Sequence, residues 1–297
     1  MTGPAPSPPP EWHEVANTWP LSEHSRFVRA GAHIWHVQTR PGSTSTSASP
    51  TFLMLHGTGA SGHSFAGLAR ALPAEWGFII PDLPGHGFTR PAGPFRPSLS
   101  AMASEVAALL QALAATPSIL LGHSAGAAIA LTLAPTLPTP PARIISLNGA
   151  LRPFDGAAGF LFPAIARLMS LNPLLPPALA ASARDRTRVE RLLTQTGGAL
   201  PPEESVACYA LLMRQSRHIA GALAMMAHWD LTRMEASLAH LAPPVTLLAG
   251  ALDRAVPPGD AARLAARNPN ASAILLPGLG HLAHEQDPNA VLNALFA

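Results

Sequence analysis

The stretch SILLGHSAGAAIALTLA, residues 118–134, constrains the fold more than any other part of the chain. A short apolar run turns on Gly122-His123-Ser124-Ala125-Gly126 and continues as an Ala/Leu-rich segment suited to a helix. A chain that passes from a buried strand to a helix through so short a corner is building one unit of a parallel sheet. A serine fenced by two glycines at that corner has two readings. It is the tip of a tight turn, or it is a hydroxyl held up to a substrate.

The rest of the chain repeats the alternation. TFLML (51–55), GFIIPD (77–82), RIISLNG (143–149), PVTLLAG (244–250) and SAILLPG (272–278) read as buried strands. RFVRAGAHIWHVQ offers two extended segments hinged at Gly31, and STSTSASP (43–50) is a polar loop. Residues 98–115 place Leu99, Met102, Val106, Leu109, Leu110 and Leu113 on one helical face; further helices are expected near 258–267 and at the C-terminus. The expectation is an α/β protein with a mostly parallel, doubly wound sheet. Residues 150–238 lack a strand pattern and are rich in Ala, Leu, Met and Pro, so they read as an inserted helical cap. That leaves 19–149 and 239–297 as the core, and 1–18 as a flexible Pro-rich tail.

Composition removes several functions. All 19 basic residues are Arg, so there is no lysine for a pyridoxal Schiff base or a P-loop. The net charge is only +2, and the one arginine cluster, ARDRTRVER (183–191), is interleaved with Asp185 and Glu190, so no nucleic-acid partner is expected. Charged residues are 12% of the chain, about half of the ~25% usual in soluble domains, which suits an apolar ligand, a protein partner or peripheral contact with a membrane. The single cysteine, Cys208, allows no internal disulfide and fits a reducing compartment. No signal-peptide pattern opens the chain, and Arg167 and prolines break the apolar region 156–182, so a cytoplasmic protein without a transmembrane segment is expected.

The corner serine gains weight from its context. A serine hydroxyl needs an adjacent base, and the base needs an orienting acid. LLAGALDRAVPP puts Asp253 just past one later strand, and ILLPGLGHLAHE puts His281 just past the next. This is the nucleophile–acid–base order expected of a strand–serine–helix elbow. An oxyanion would need two N–H donors, for which Ala125 and Thr58, in HGTGASGHS, are the candidates. His56, Gly57, His123, Phe154, Phe162, Met226 and Trp229 are expected to contact substrate. Phe154, Phe160, Phe162 and Met169 give the cap an apolar lining suited to a bulky apolar molecule. His281, His284 and Glu285 form H-x-x-H-E, which is not the zinc-protease spacing, so neither a metal nor another cofactor is expected. His86 reads as a structural residue of its Gly-rich loop.

HGTGAS, PDLPGHGFT, GHSAG, GALDRAVP and GLGH together resemble the α/β-hydrolase superfamily across residues 26–297. WPLSEHSRFV, HIWHVQ, ALRPFDGAAGFLFPAIARLMSLNPL, ALAMMAHWDL and LPGLGHLAHE are similar, more narrowly, to the magnesium-chelatase accessory family of bacteriochlorophyll biosynthesis. The superfamily resemblance carries Ser124, Asp253 and His281 onto a catalytic triad; the narrower one implies a tetrapyrrole or its precursor as ligand and magnesium-chelatase subunits as partners. Dehalogenases and epoxide hydrolases of the superfamily carry Asp where this chain has Ser124. Three activities stay open: ester hydrolysis, porphyrin binding or chelatase assistance without required hydrolysis, and carbon–carbon hydrolysis or perhydrolysis by the same residues.

Overall fold

A computed structural model of the chain describes residues 6–43, 49–153, 169 and 171–296. Nine strands form one sheet: β1 (Ser25–Ala30), β2 (His33–Arg40), β3 (Thr51–Leu55), β4 (Gly77–Pro81), β5 (Arg90–Pro91), β6 (Ile119–His123), β7 (Arg143–Leu147), β8 (Val245–Gly250) and β9 (Ala271–Leu276). Their order is β1-β2-β4-β3-β6-β7-β8-β9, with β5 paired to β2. From β4 to β9 every pairing is parallel, while β1, β2 and β5 run antiparallel at one side. The doubly wound sheet expected from the alternation is present. Gly31, at φ +51°, makes the turn between β1 and β2, a conformation that glycine adopts without steric cost.

Helices cover both faces, so the central strands are apolar throughout rather than alternating. In β3, Leu53 and Leu55 join the core beneath the helices Leu99–Ala112 and Ala125–Leu133, with Met102, Val106 and Ile129. Phe52 and Met54 turn to the other face and pack with Phe65, Leu68, Val291 and Leu295. Residues from 98 to 115 were expected as a helix; the observed helix starts at Leu99 because the Ser98 side chain caps it, accepting a hydrogen bond from Ala101 N–H.

Between β7 and β8 no strand occurs among the described residues. That interval holds the helices Leu175–Ser182, Arg186–Gln195, Glu203–Met213, Ser216–Ala227 and Met234–Ala239. They attach to the core by specific polar contacts. His218 Nδ1 accepts a hydrogen bond from Gly87 N–H and its Nε2–H donates to Gly59 O, 3.1 and 3.0 Å. Tyr209 Oη–H donates to Glu285 Oε1 at 2.8 Å.

The expected tail to residue 18 needs correction. Pro10–Val15 is a helix, and Trp12 and Trp19 are buried against Phe27, Phe88, Cys208 and Leu212. Proline is tolerated in the first turn, and an indole that buries on the order of 200 Å² outweighs the flexibility of a proline-rich segment. No described helix is long and apolar enough to cross a membrane.

Candidate active site

The parallel strands all end on one side of the sheet, and the loops leaving β3, β6, β8 and β9 bring Thr58, Ser124, Asp253 and His281 there. Ser124 stands between β6 and the helix Ala125–Leu133 at φ 52°, ψ −118°. A non-glycine residue in that region carries strain on the order of 1–3 kcal/mol. The serine itself takes the positive φ, and the flanking glycines supply room. A Cβ on Gly122 would lie 2.3 Å from Gly126 O, and one on Gly126 would lie 2.0 Å from Leu55 O. The corner is therefore pressed against the end of β3, which only glycine permits.

Asp253 is held by four donors. Oδ1 accepts from the N–H groups of Ala255 and Val256 at 2.8 and 2.9 Å. Oδ2 accepts from Asn148 Nδ2 at 2.7 Å and from His281 Nδ1–H at 2.8 Å. Burial pushes the Asp253 carboxyl up, but the His281 hydrogen bond and charge, with the Val256 and Asn148 donors, hold it below the usual carboxylate range. An ionised carboxylate only accepts, so His281 Nδ1 is the donor in this bond, and in a neutral ring Nε2 is then the acceptor.

Ser124 and His281 line one open cavity of about 460 Å³, together with Thr58, Ala125, Met226 and Trp229. Leu151, Leu231, Val256 and Pro257 add apolar wall. Among the described residues its charged groups are Arg152, Asp230 and Asp260, of which Arg152 Nη1 bonds Asp260 Oδ1 at 2.8 Å.

Two of the expected substrate contacts lie behind the cavity and are corrected. His56 is fully buried: Nδ1–H donates to Gly57 O at 2.8 Å and Nε2 accepts from Leu83 N–H at 2.9 Å. Burial, aided by His86, pushes its basicity well down. His123 is also buried, and its Nε2–H donates to the backbone carbonyl of His281 at 2.9 Å. Burial and the neighbouring His281 push its pKa down to about 3, so it is a neutral support for the loop that carries His281. Gly57 does not line the cavity either; a Cβ there would lie 2.9 Å from Ser124 Cβ, so its smallness lets the β3 loop approach Ser124. Phe154 and Phe162, like Phe160, lie outside the described residues.

The H-x-x-H-E group does not converge. His281 faces Asp253, Glu285 accepts from Tyr209, and His284 packs between Phe65 and His123. Burial pushes Glu285 up to about 7. His86 is buried in its loop, donating from Nδ1 to Pro84 O at 3.1 Å. Sequence reasoning missed Asn148. It follows β7 at φ 49°, a conformation asparagine tolerates, and an Asn directly after a buried strand on the site's side of the sheet was the available signal.

Residues 50–288 match the model of the alpha/beta hydrolase fold family. The chain is 40% identical over 267 residues to the Magnesium-chelatase 30 kDa subunit of Rhodobacter capsulatus, covering 90% of this chain and 91% of that one. It is 29% identical to a Pimeloyl-[acyl-carrier protein] methyl ester esterase of Xanthomonas oryzae, covering 84% of this chain and 95% of the other. Among solved structures, an alpha/beta hydrolase fold protein from Burkholderia ambifaria superposes with a TM-score of 0.73 at 20% identity, over 92% of this chain and 99% of that chain. A thermophilic esterase from Thermogutta terrifontis superposes with a TM-score of 0.69 at 20% identity, over 92% and 96%.

Proposed function

The chain belongs to the α/β-hydrolase family, and on that premise we propose that it is a serine hydrolase acting on an ester, or a related acyl bond, of a bulky apolar substrate. One observation carries the reading. A strained serine shares a cavity with an imidazole whose Nδ1–H is committed to a carboxylate held by four donors. Ser124 Oγ attacks the carbonyl carbon while His281 Nε2 takes its proton. The negative charge that develops on the carbonyl oxygen is held by the N–H groups of Thr58 and Ala125. His281 then gives the proton to the leaving oxygen, the acyl bond to it breaks, and an acyl-Ser124 remains. Water, deprotonated by His281, releases the acid and restores the serine. The chemistry needs no metal or organic cofactor.

The relationship to a protein named as a magnesium-chelatase subunit supports a place near magnesium–porphyrin and bacteriochlorophyll synthesis, with a tetrapyrrole or its precursor as substrate and chelatase subunits as partners. The same relationship favours a second reading, in which the protein binds a porphyrin or assists the chelatase without hydrolysis. Carbon–carbon hydrolysis or perhydrolysis would use the same three residues. A Ser124→Ala strain separates the first two. If hydrolysis is required, it accumulates the same intermediate as a deletion; if binding suffices, it restores wild-type pigment at equal protein abundance.

A further inference from the structure

The segment after the cap helix Arg186–Gln195 lies against both loops that carry the acid and the base. Arg254 N–H, next to Asp253, donates to Thr196 O at 3.0 Å. Gly197 and Gly198 have φ +97° and +72°. A Cβ on Gly197 would lie 1.9 Å from Leu252 O, and one on Gly198 would lie 2.6 Å from Gly280 N. The two glycines are thus wedged between the residue before Asp253 and the residue before His281. Leu252 N–H in turn donates to Leu279 O at 2.8 Å, so the two loops are also tied to each other.

One side chain joins all of this. Gln286 Oε1 accepts from Gly280 N–H at 2.7 Å, while its Nε2 donates to Gly197 O and Ala199 O at 3.1 and 2.6 Å. An amide has an acceptor and two donors at opposite corners, and here all three face backbone. Gly280 O is held from the other side by Asn148 Nδ2 at 3.3 Å, and His281 O by His123. Gly280, the residue that leads into His281, is therefore held at its carbonyl by the core, through Asn148, and at its N–H by Gln286, which also bonds the cap.

We infer that Gln286 is a positioning residue: it transmits the seating of the cap segment Thr196–Ala199 to the base loop and so fixes where His281 Nε2 stands relative to Ser124. The inference rests on the hydrolase reading above for its catalytic consequence, but not for its geometry. Misplacing a catalytic group by about 1 Å costs on the order of 100-fold in rate. Gln286→Ala is expected to lower kcat on a soluble aryl ester by about 10- to 100-fold with KM changed less than about twofold. Gln286→Glu keeps the acceptor for Gly280 N–H but sets a carboxylate against two carbonyls, and it is expected to lose kcat as well.

A residue that only anchored the cap would raise KM and lower the melting temperature while leaving kcat and the His281–Asp253 bond unchanged. The test therefore pairs kcat and KM with proton NMR of the downfield Nδ1–H resonance of His281, recorded on the full-length protein and both variants. Broadening or displacement of that resonance in folded Gln286→Ala, or in Gln286→Glu should the alanine variant not fold, supports the inference. An unchanged resonance and an unchanged kcat overturn it. If the wild-type Ser124 fails to react with a fluorophosphonate, the hydrolase reading falls, and the resonance alone still decides the positioning of His281.

Discussion

Behind the cavity, Asp253, Asn148, His123 and Gln286 surround the base loop with hydrogen bonds at 2.6 to 3.3 Å. On the cavity's cap-derived wall, Met226, Trp229 and Leu231 offer mainly apolar surface. The contrast follows from what each wall can do. Proton transfer needs groups fixed within tenths of an ångström, which directional bonds and strained backbone provide. Apolar contact is non-directional and tolerates a range of shapes, so it selects a class of molecule and does little for the bond-breaking step. On the proposed reading, the chemistry is an attribute of strand ends and the selectivity an attribute of the cap.

Changes behind the cavity should therefore act on kcat, and changes on the cap wall on KM. The largest expected effect is at the acid. Asp253→Asn removes the carboxylate that sets the His281 tautomer, and kcat should fall by about 10⁴-fold with the protein still folded. A variant within tenfold of wild type would mean that Asp253 does not orient the base.

The second test uses pH, because the wall behind the cavity is crowded with buried imidazoles. Burial lowers the pKa of His63 and His86 to about 4 and of His123 and His218 to about 3, and pushes His56 and His284 well down. Each is neutral in the folded protein and takes a proton near its ordinary value of 6.5 when unfolded, so its contribution is complete above that pH and is lost as pH falls toward the folded value. Glu285 has the opposite sign. Burial raises it from 4.5 to about 7, so its contribution is complete below 4.5 and is lost as pH rises through 7. The unfolding free energy from denaturant titration should drop steeply from pH 6.5 to 4, by on the order of several kcal/mol overall. His284→Phe, replacing an imidazole packed on Phe65 and His123, should flatten that acid limb. Glu285→Gln should gain roughly 3 kcal/mol at pH 8 and nothing at pH 4. A midpoint independent of pH would contradict the buried neutral histidines.

A smaller effect is expected at Asn148. Asn148→Ala removes one of four donors to a buried carboxylate, a hydrogen bond to a charged group worth about 1.5–3 kcal/mol. Hydrolysis should slow by about 10- to 100-fold, again in kcat. The smallest effect belongs to the cap wall. Trp229→Ala should raise KM for long-chain or aromatic esters by about tenfold and leave acetate esters unchanged. A chain-length series that peaks at acetate in the wild type would mean that the apolar wall packs the cap and selects nothing.

The strands nearest the site were legible because burial on both faces leaves an unmistakable apolar run, and TFLML begins and ends as β3 does. The positions of Ser124, Asp253 and His281 at strand ends were legible because each directly follows such a run or lies a few residues beyond it. The helix around Trp12 was not, since its proline-rich local signal is overruled by contacts with Phe88 and Cys208 far along the chain. His56 and His123 were placed on the wrong side for the same reason: position next to a motif does not say which way a ring points. Gln286 carries no local mark. Its role exists only because a cap loop 87 residues away in sequence returns to it.

The central claim, that the backbone behind the cavity makes Ser124 a nucleophile driven by His281, is tested most directly by covalent labelling. Full-length protein treated with a fluorophosphonate should gain one adduct by intact mass, mapped by peptide analysis to Ser124. Folded His281→Ala should label at least about 100-fold more slowly, because the hydroxyl then has no base. A folded wild-type protein that takes up no label, or that labels at the same rate without His281, would contradict the account.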